Sequence, residues 1–375
     1  MTKSNSVSCI NRRQFLGTSG VATATTLATP VSFAGAAAAE SSGGAGPNAA
    51  ITKKSLPIGV FSPVYRHLSL DEMLDKISSL GLEAVEIGAG GYSATPQCPL
   101  DELVSDPMKA RAWKKKFDDR GIRMMALSCH SNAIHPNATK AADDARAFRQ
   151  TILLSEILEV PTVVGFSGCP GGSPADVTPT WITYDWPTDH ARALAWQWKE
   201  RVIPYWMETV KFARQHGVRR IALEMHPNFV VYNPRTLMRL RETVGEEIGT
   251  NCDLSHLFWQ GCDAIDVIHF LGKQGAIYHA HMKDTAFNSI NVRRYGVLNF
   301  ASSKKDLPDA SDSFRAVGYG HSADLWKDVI AAYADVGYDG MLSIENEDPI
   351  LSGEDGVKRA AYVLKNVRAE LLAGN

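Results

Sequence analysis

The chain has 375 residues, 39 Lys and Arg against 41 Asp and Glu, and a formal charge of −2. With 45% hydrophobic and 21% charged residues, its composition excludes intrinsic disorder, collagen and coiled coil, since it holds enough apolar surface for a core. The near-neutral balance argues against a nucleic-acid partner, whose phosphates call for a surplus of Lys and Arg.

The first fifty residues differ from the rest. Asn11-Arg12-Arg13-Gln14-Phe15-Leu16-Gly17 is a twin-arginine sequence, and the uncharged stretch from Gln14 to Ala39 is rich in Ala, Thr, Ser and Gly. A membrane-spanning helix needs about 20 strongly apolar residues, so stable membrane insertion is not expected. The small residues Ala34 and Ala36 to Ala38 suit a signal peptidase. Residues 1–38 therefore read as a cleavable twin-arginine signal that engages the matching export machinery. Residues 39–53, with Ser41 to Asn48 reading SSGGAGPN, form a flexible linker, and 54–375 form the mature domain. That domain is expected outside the cytoplasm, periplasmic or secreted. Cleavage removes Lys3, Arg12 and Arg13 and no acid, leaving 36 basic against 41 acidic residues, a charge of −5. Because this route exports folded proteins, a cofactor could be loaded before export. Cys98, Cys129, Cys169, Cys252 and Cys262 fit neither a disulfide scaffold nor a Cys-type zinc site.

From Leu56 onward, short apolar runs alternate with longer amphipathic stretches. The runs are 56–61, 83–87, 123–128, 162–166, 220–224, 248–254, 277–283 and 340–345, each suited to a strand buried on both faces. Ser69 stands three residues before Glu72, the spacing of a capping box at a helix start. Between 322 and 336, Leu325, Val329, Ile330, Tyr333 and Val336 recur at helical spacing. Gly81, Gly217 and Gly337 stand where helices should stop before the next strand. Eight strands alternating with eight helices predict an α/β protein built as one (β/α)8 TIM barrel. An open doubly wound sheet is disfavoured, because no G-x-G-x-x-G follows the first strand. Residues 167–190 and 284–321 exceed the usual connection length and would sit at the C-terminal face of the barrel as lids. The lesser alternative is a decorative insertion or one that serves contacts within a homo-oligomer.

Glu224, Asp253, His281 and Glu345 each close one of the last four apolar runs, so a barrel would gather them at one pole. Three carboxylates packed together repel unless something compensates. One divalent cation does so, and this donor set suits Mn²⁺ first, with Co²⁺, Mg²⁺ or Zn²⁺ as alternatives. Glu86, His130, His226, His279 and Lys283 face the same pole and are candidates for substrate or supporting contacts. Each could instead be a cap, an ion-pair partner or a buried core residue. Trp181, Trp186 and Trp259 could stack on a sugar ring.

The ordered set LEMHP (223–227), DLSH (253–256), HAHMKD (279–284) and LSIENED (342–348) resembles the xylose isomerase-like sugar isomerase/epimerase superfamily, which includes ketose 3-epimerases and inosose dehydratases. The resemblance covers about residues 54–372. It implies that Glu224, Asp253, His281 and Glu345 bind one metal and that His256 touches substrate hydroxyls. Ketose 3-epimerases carry a sugar-contacting Arg six residues past the metal His. Phe287 stands there in this chain, leaving Arg293, Arg294 or Arg315 to substitute.

The site chemistry then follows. A carbonyl and a neighbouring hydroxyl chelated by a cation acidify the C–H between them, and Glu224 or Glu345 can take that proton as general base. Return of the proton to the opposite face of the enediolate gives an epimer. Return to the neighbouring carbon gives an isomer, and departure of a β-oxygen is elimination. The expected activity is therefore metal-dependent isomerisation or epimerisation of a small unphosphorylated sugar or keto-polyol. A lyase or hydratase acting on a keto-sugar or keto-glycoside is the alternative. A non-catalytic sugar-binding protein and an apurinic-site endonuclease fit less well.

Overall fold

Each of the eight apolar runs forms a strand. The computed structural model describes residues 56–300 and 303–373; the signal and linker readings over 1–38 and 39–53 lie outside them. In chain order the strands are β1 (Ile58–Phe61), β2 (Ala84–Gly91), β3 (Arg123–His130), β4 (Thr162–Phe166), β5 (Arg220–Glu224), β6 (Ile248–Asp253), β7 (Ile277–Met282), β8 (Asp284–Phe287), β9 (Asp312–Arg315) and β10 (Leu342–Ile344). Eight of them pair in parallel and close in the order β1-β10-β7-β6-β5-β4-β3-β2. Strands β8 and β9 form a separate antiparallel ribbon, with Asp284 opposite Arg315 and Phe287 opposite Asp312. That ribbon lies inside the stretch 284–321, which the sequence reading treats as an irregular loop. Four-residue strands are too short to declare themselves by alternation.

Helices cover the barrel, and local chemistry sets their ends. Ser69 and Glu72 form the reciprocal capping box at the start of helix Leu70–Ser79. Gly217 and Gly337, both at φ +72°, take the left-handed turn that releases the chain into β5 and towards β10. Side chains alternate along each strand, so Leu127, Cys129, Val163 and Leu223 point outward and belong, with Phe117, Phe148 and Leu271, to the apolar core between strands and helices. Full burial contributes about 1.5–3 kcal/mol for each such large side chain. Ala126, Val164 and Ala222 point the other way and fill a small apolar layer inside the barrel. Residues two positions further along these strands are polar or aromatic, and they build the site.

The two long connections are pinned. Asn132 Nδ2 donates to the Cys169 carbonyl, and the Cys169 amide returns a bond to Asn132 Oδ1, each at 2.9 Å. Gln197 donates to the carbonyls of Gly171 and Thr180 at 3.0 and 2.7 Å. In the second connection Asp284 gathers the amides of Gly318, Gly320 and His321 at 2.9–3.0 Å. Among the described residues, no helix is long and apolar enough to cross a membrane.

Candidate metal centre

Glu224 ends β5, Asp253 ends β6, His281 is the penultimate residue of β7, and Glu345 directly follows β10. The barrel brings one ligand atom from each within 4.8 Å of the others. His281 Nδ1 lies 3.0 Å from Glu345 Oε2, 3.5 Å from Glu224 Oε2 and 3.8 Å from Asp253 Oδ2. Asp253 Oδ2, His281 Nδ1 and Glu345 Oε2 are buried and have no aligned hydrogen-bond partner. The two oxygens face the Lys283 ammonium at 3.0 and 2.6 Å without an aligned hydrogen bond, and lone pairs converging with that of His281 in this way fit a metal cation, which takes them directly.

Glu224 and Asp253 are held ionised. Burial alone would raise the Glu224 carboxyl, but hydrogen bonds with His130 and His256 hold it well below the usual carboxylate range. His130 Nε2 and Asn251 Nδ2 each lie 3.0 Å from Glu224 Oε2, and His256 Nε2 lies 3.1 Å from Oε1. Asp253 is likewise lowered against its burial, chiefly by the Lys283 charge. Lys283 Nζ lies 3.0 Å from Asp253 Oδ2 and 3.0 Å from Glu347 Oε2, beneath the Phe314 ring at 4.4 Å. Despite full burial, the surrounding carboxylates hold this ammonium well above its ordinary range.

A cleft of about 280 Å³ opens onto the cluster, lined among others by Phe61, Tyr92, Phe166, His226, Asn346 and Glu347. Phe166 stacks on Phe229 at 4.1 Å between ring centroids, giving the cleft an aromatic wall. His226 packs against Phe166 and His256. Burial, aided by the His256 charge, pushes its imidazole down to about 3. The neutral ring donates from Nδ1 to the Pro227 carbonyl at 2.6 Å, which leaves Nε2 as an acceptor.

Several residues singled out from sequence sit elsewhere. Glu86 and His279 face the barrel axis, but they are buried beneath the cluster and do not line the cleft. Their strand parity is that of the ligands; their depth is one layer lower. Trp259 is half-buried and Arg294 is exposed on helix Ser289–Tyr295, and neither lines the cleft. Arg315 is engaged by Asp348 at 2.9 Å. Trp181 packs on Tyr232, and Trp186 is 69% exposed. Conversely, Ser128, Asn251 and Ser343 hold polar positions inside the barrel that the sequence reading passes over. Each stands two residues before a site residue, so period-two counting would have found them.

Comparison with known proteins agrees with this architecture. A Bacillus subtilis (strain 168) protein, YfiH, is 36% identical over 306 residues, spanning 80% of this chain and 95% of its own. The crystal structure of a xylose isomerase domain protein from Planctomyces limnophilus is similar with a TM-score of 0.57 at 15% identity, covering 86% of this chain and 99% of that one. A D-tagatose 3-epimerase-like protein gives 0.55 at 19% identity, covering 84% of this chain and 100% of that one. The profile of the xylose isomerase-like TIM barrel family matches residues 74–367, and the chain belongs to that family.

Proposed function

We propose that the protein is a divalent-metal-dependent isomerase or epimerase of a small unphosphorylated keto-sugar or keto-polyol. The observation that carries this reading is the convergence of Glu224, Asp253, His281 and Glu345 on one point at the mouth of the barrel. Three oxygen donors and one nitrogen favour Mn²⁺, with Co²⁺, Mg²⁺ and Zn²⁺ as competitors. The D-tagatose 3-epimerase-like neighbour is titled for chemistry of this kind.

A cation held by these four residues supplies Lewis acidity to a substrate carbonyl and its neighbouring hydroxyl. The side chains divide the remaining work. Glu224 has hydrogen bonds on both oxygens and only 3% side-chain exposure, whereas Glu345 shows 14%. Glu345 is therefore the better placed to take a proton from carbon, and Glu224 to hold its charge in place. His226 Nε2 accepts a substrate hydroxyl, and the Phe166–Phe229 wall packs a sugar's C–H face. Glu224, Glu345 and Glu347 line the cleft, and Lys283 is already engaged by three carboxylates. A phosphate would meet repulsion there, which supports an unphosphorylated substrate.

The twin-arginine sequence Asn11 to Gly17 supports a place of action outside the cytoplasm; fractionation of cells making Arg12→Lys/Arg13→Lys, with the protein retained inside, is the expected result. The activity is tested by incubating Mn²⁺-loaded protein in D2O with a panel of unphosphorylated ketoses and keto-glycosides, followed by proton NMR. Exchange of a C–H beside a carbonyl, with appearance of an epimer or isomer, is expected. An alkene or released β-substituent would instead mark elimination, and absence of both metal uptake and exchange would overturn the proposal.

A further inference from the structure

We propose that Glu86 is a positioning residue that fixes the ring of His281, so that Nδ1 and not Nε2 is presented to the cation; this rests on the metal-site reading above. Glu86 lies on β2, across the barrel from β7, and is fully buried. Its Oε2 lies 2.9 Å from His281 Nε2 and 2.8 Å from His279 Nε2, and it accepts from Ser343 Oγ at 2.6 Å. Ser128 Oγ donates to its other oxygen. A carboxylate accepts and never donates, so both imidazole nitrogens facing it must carry hydrogen. With Nε2 protonated and anchored, the Nδ1 lone pair of His281 is left for the cluster formed with Glu224, Asp253 and Glu345.

The four donors come from β3, β7 and β10, and the acceptor from β2. Glu86 thus ties together strands from opposite sides of the barrel in a layer directly beneath the ligands. An unsupported imidazole can rotate or change tautomer, and either change removes one of four donors. A carboxylate behind a metal-bound imidazole suppresses both and raises its basicity. His279 occupies a second position on the same oxygen and stops Glu86 from swinging towards the cleft. The presence of Ser128 and Ser343 completes the acceptor capacity, so that the buried charge is fully hydrogen-bonded.

The test compares purified wild type, Glu86→Gln, Glu86→Ala, Ser343→Ala and Asp253→Ala. Co²⁺ affinity is measured by chelator competition, and proton NMR of the Co²⁺-loaded protein reads the exchangeable ring N–H of His281. Co²⁺ affinity should fall about 10–100-fold in Glu86→Ala and by less in Glu86→Gln, whose amide oxygen still accepts. The ring N–H should be slow to exchange in wild type and in Ser343→Ala, and lost in Glu86→Ala. Unchanged affinity in both Glu86 variants, with Co²⁺ lost in Asp253→Ala, would overturn the assignment while leaving the metal site intact. Retention of Co²⁺ by Asp253→Ala would instead bring down the metal-site reading itself. Loss of the N–H signal in Ser343→Ala as well would assign the effect to packing and reject Glu86. If Glu86→Ala does not fold, the isosteric Glu86→Gln and the wild-type signal decide.

Discussion

Lys283 Nζ lies 2.6 Å from Glu345 Oε2, with the ammonium fully buried and Asp253 and Glu347 each 3.0 Å away. Three carboxylates therefore share one cation, and removing it leaves them facing each other in a medium of low polarity. Lys283→Met should lower the stability of metal-free protein by about 3–5 kcal/mol, the scale of breaking a buried charge pair. Mn²⁺ should recover part of the loss, because it binds the folded state and brings compensating charge. Urea unfolding of both proteins with and without Mn²⁺ measures this. Equal stability of variant and wild type without Mn²⁺ would show that the ammonium has no such role.

Metal holding and proton transfer should separate in two substitutions. Asp253 contributes a fully buried oxygen to the cluster and has little access to the cleft, so Asp253→Ala should abolish stoichiometric metal. Glu345→Gln keeps an oxygen donor and the side-chain shape. It should fold and retain metal, yet lose about 10²–10⁴-fold in turnover, the usual contribution of a general base. Elemental analysis and turnover on whichever ketose exchanges in D2O distinguish them. Wild-type turnover in Glu345→Gln would transfer the base to Glu224.

The barrel was legible in the sequence because strands buried on both faces must be nearly continuous apolar runs, bounded here by glycines such as Gly217 and Gly337. The polar residues that close those runs stood out for the same reason: a carboxylate at a buried strand end is costly unless something compensates it. Depth was not legible. Glu86 and His279 share the parity of the ligands, but whether a residue reaches the cleft or stops one layer below depends on strand stagger. Adjacent residues could also diverge: Lys283 enters the cluster, whereas Asp284 turns into the following loop and collects its amides. The sequence shows only that both are charged. Phe287, where the resemblance to ketose 3-epimerases leads one to expect Arg, is 41% exposed on the ribbon; its departure from that expectation was readable, its orientation was not.

Trp206 joins an outer helix to the connection that follows β4. Its ring is buried, and Nε1 donates to the Ser167 carbonyl at 2.9 Å, while Ser167 Oγ accepts from the Val231 amide at 2.9 Å. Trp206→Phe keeps most of the apolar volume but strands a buried carbonyl, at a cost of about 1–3 kcal/mol. Thermal unfolding should register that loss, with metal stoichiometry unchanged. A variant as stable as wild type would mean that the carbonyl finds another donor.

Asp284 makes the second connection sensitive to acid. Burial would raise its carboxyl, but the His321 side chain and the amides of His321 and Gly320 hold it below its ordinary value. A lowered folded-state pKa contributes stability that is fully present above the unfolded value and lost as pH falls through the folded one. For an aspartate this window opens below about pH 4. Asp284→Asn cannot accept the same charge-assisted bonds and should be less stable at pH 7 by about 1.5–3 kcal/mol. The gap between variant and wild type should then narrow as pH drops below about 4, because protonation deprives the wild type of the same interactions. Urea unfolding of both proteins across pH 3–7 gives the difference directly, and a gap constant with pH would show that the Asp284 charge contributes nothing to holding the loop.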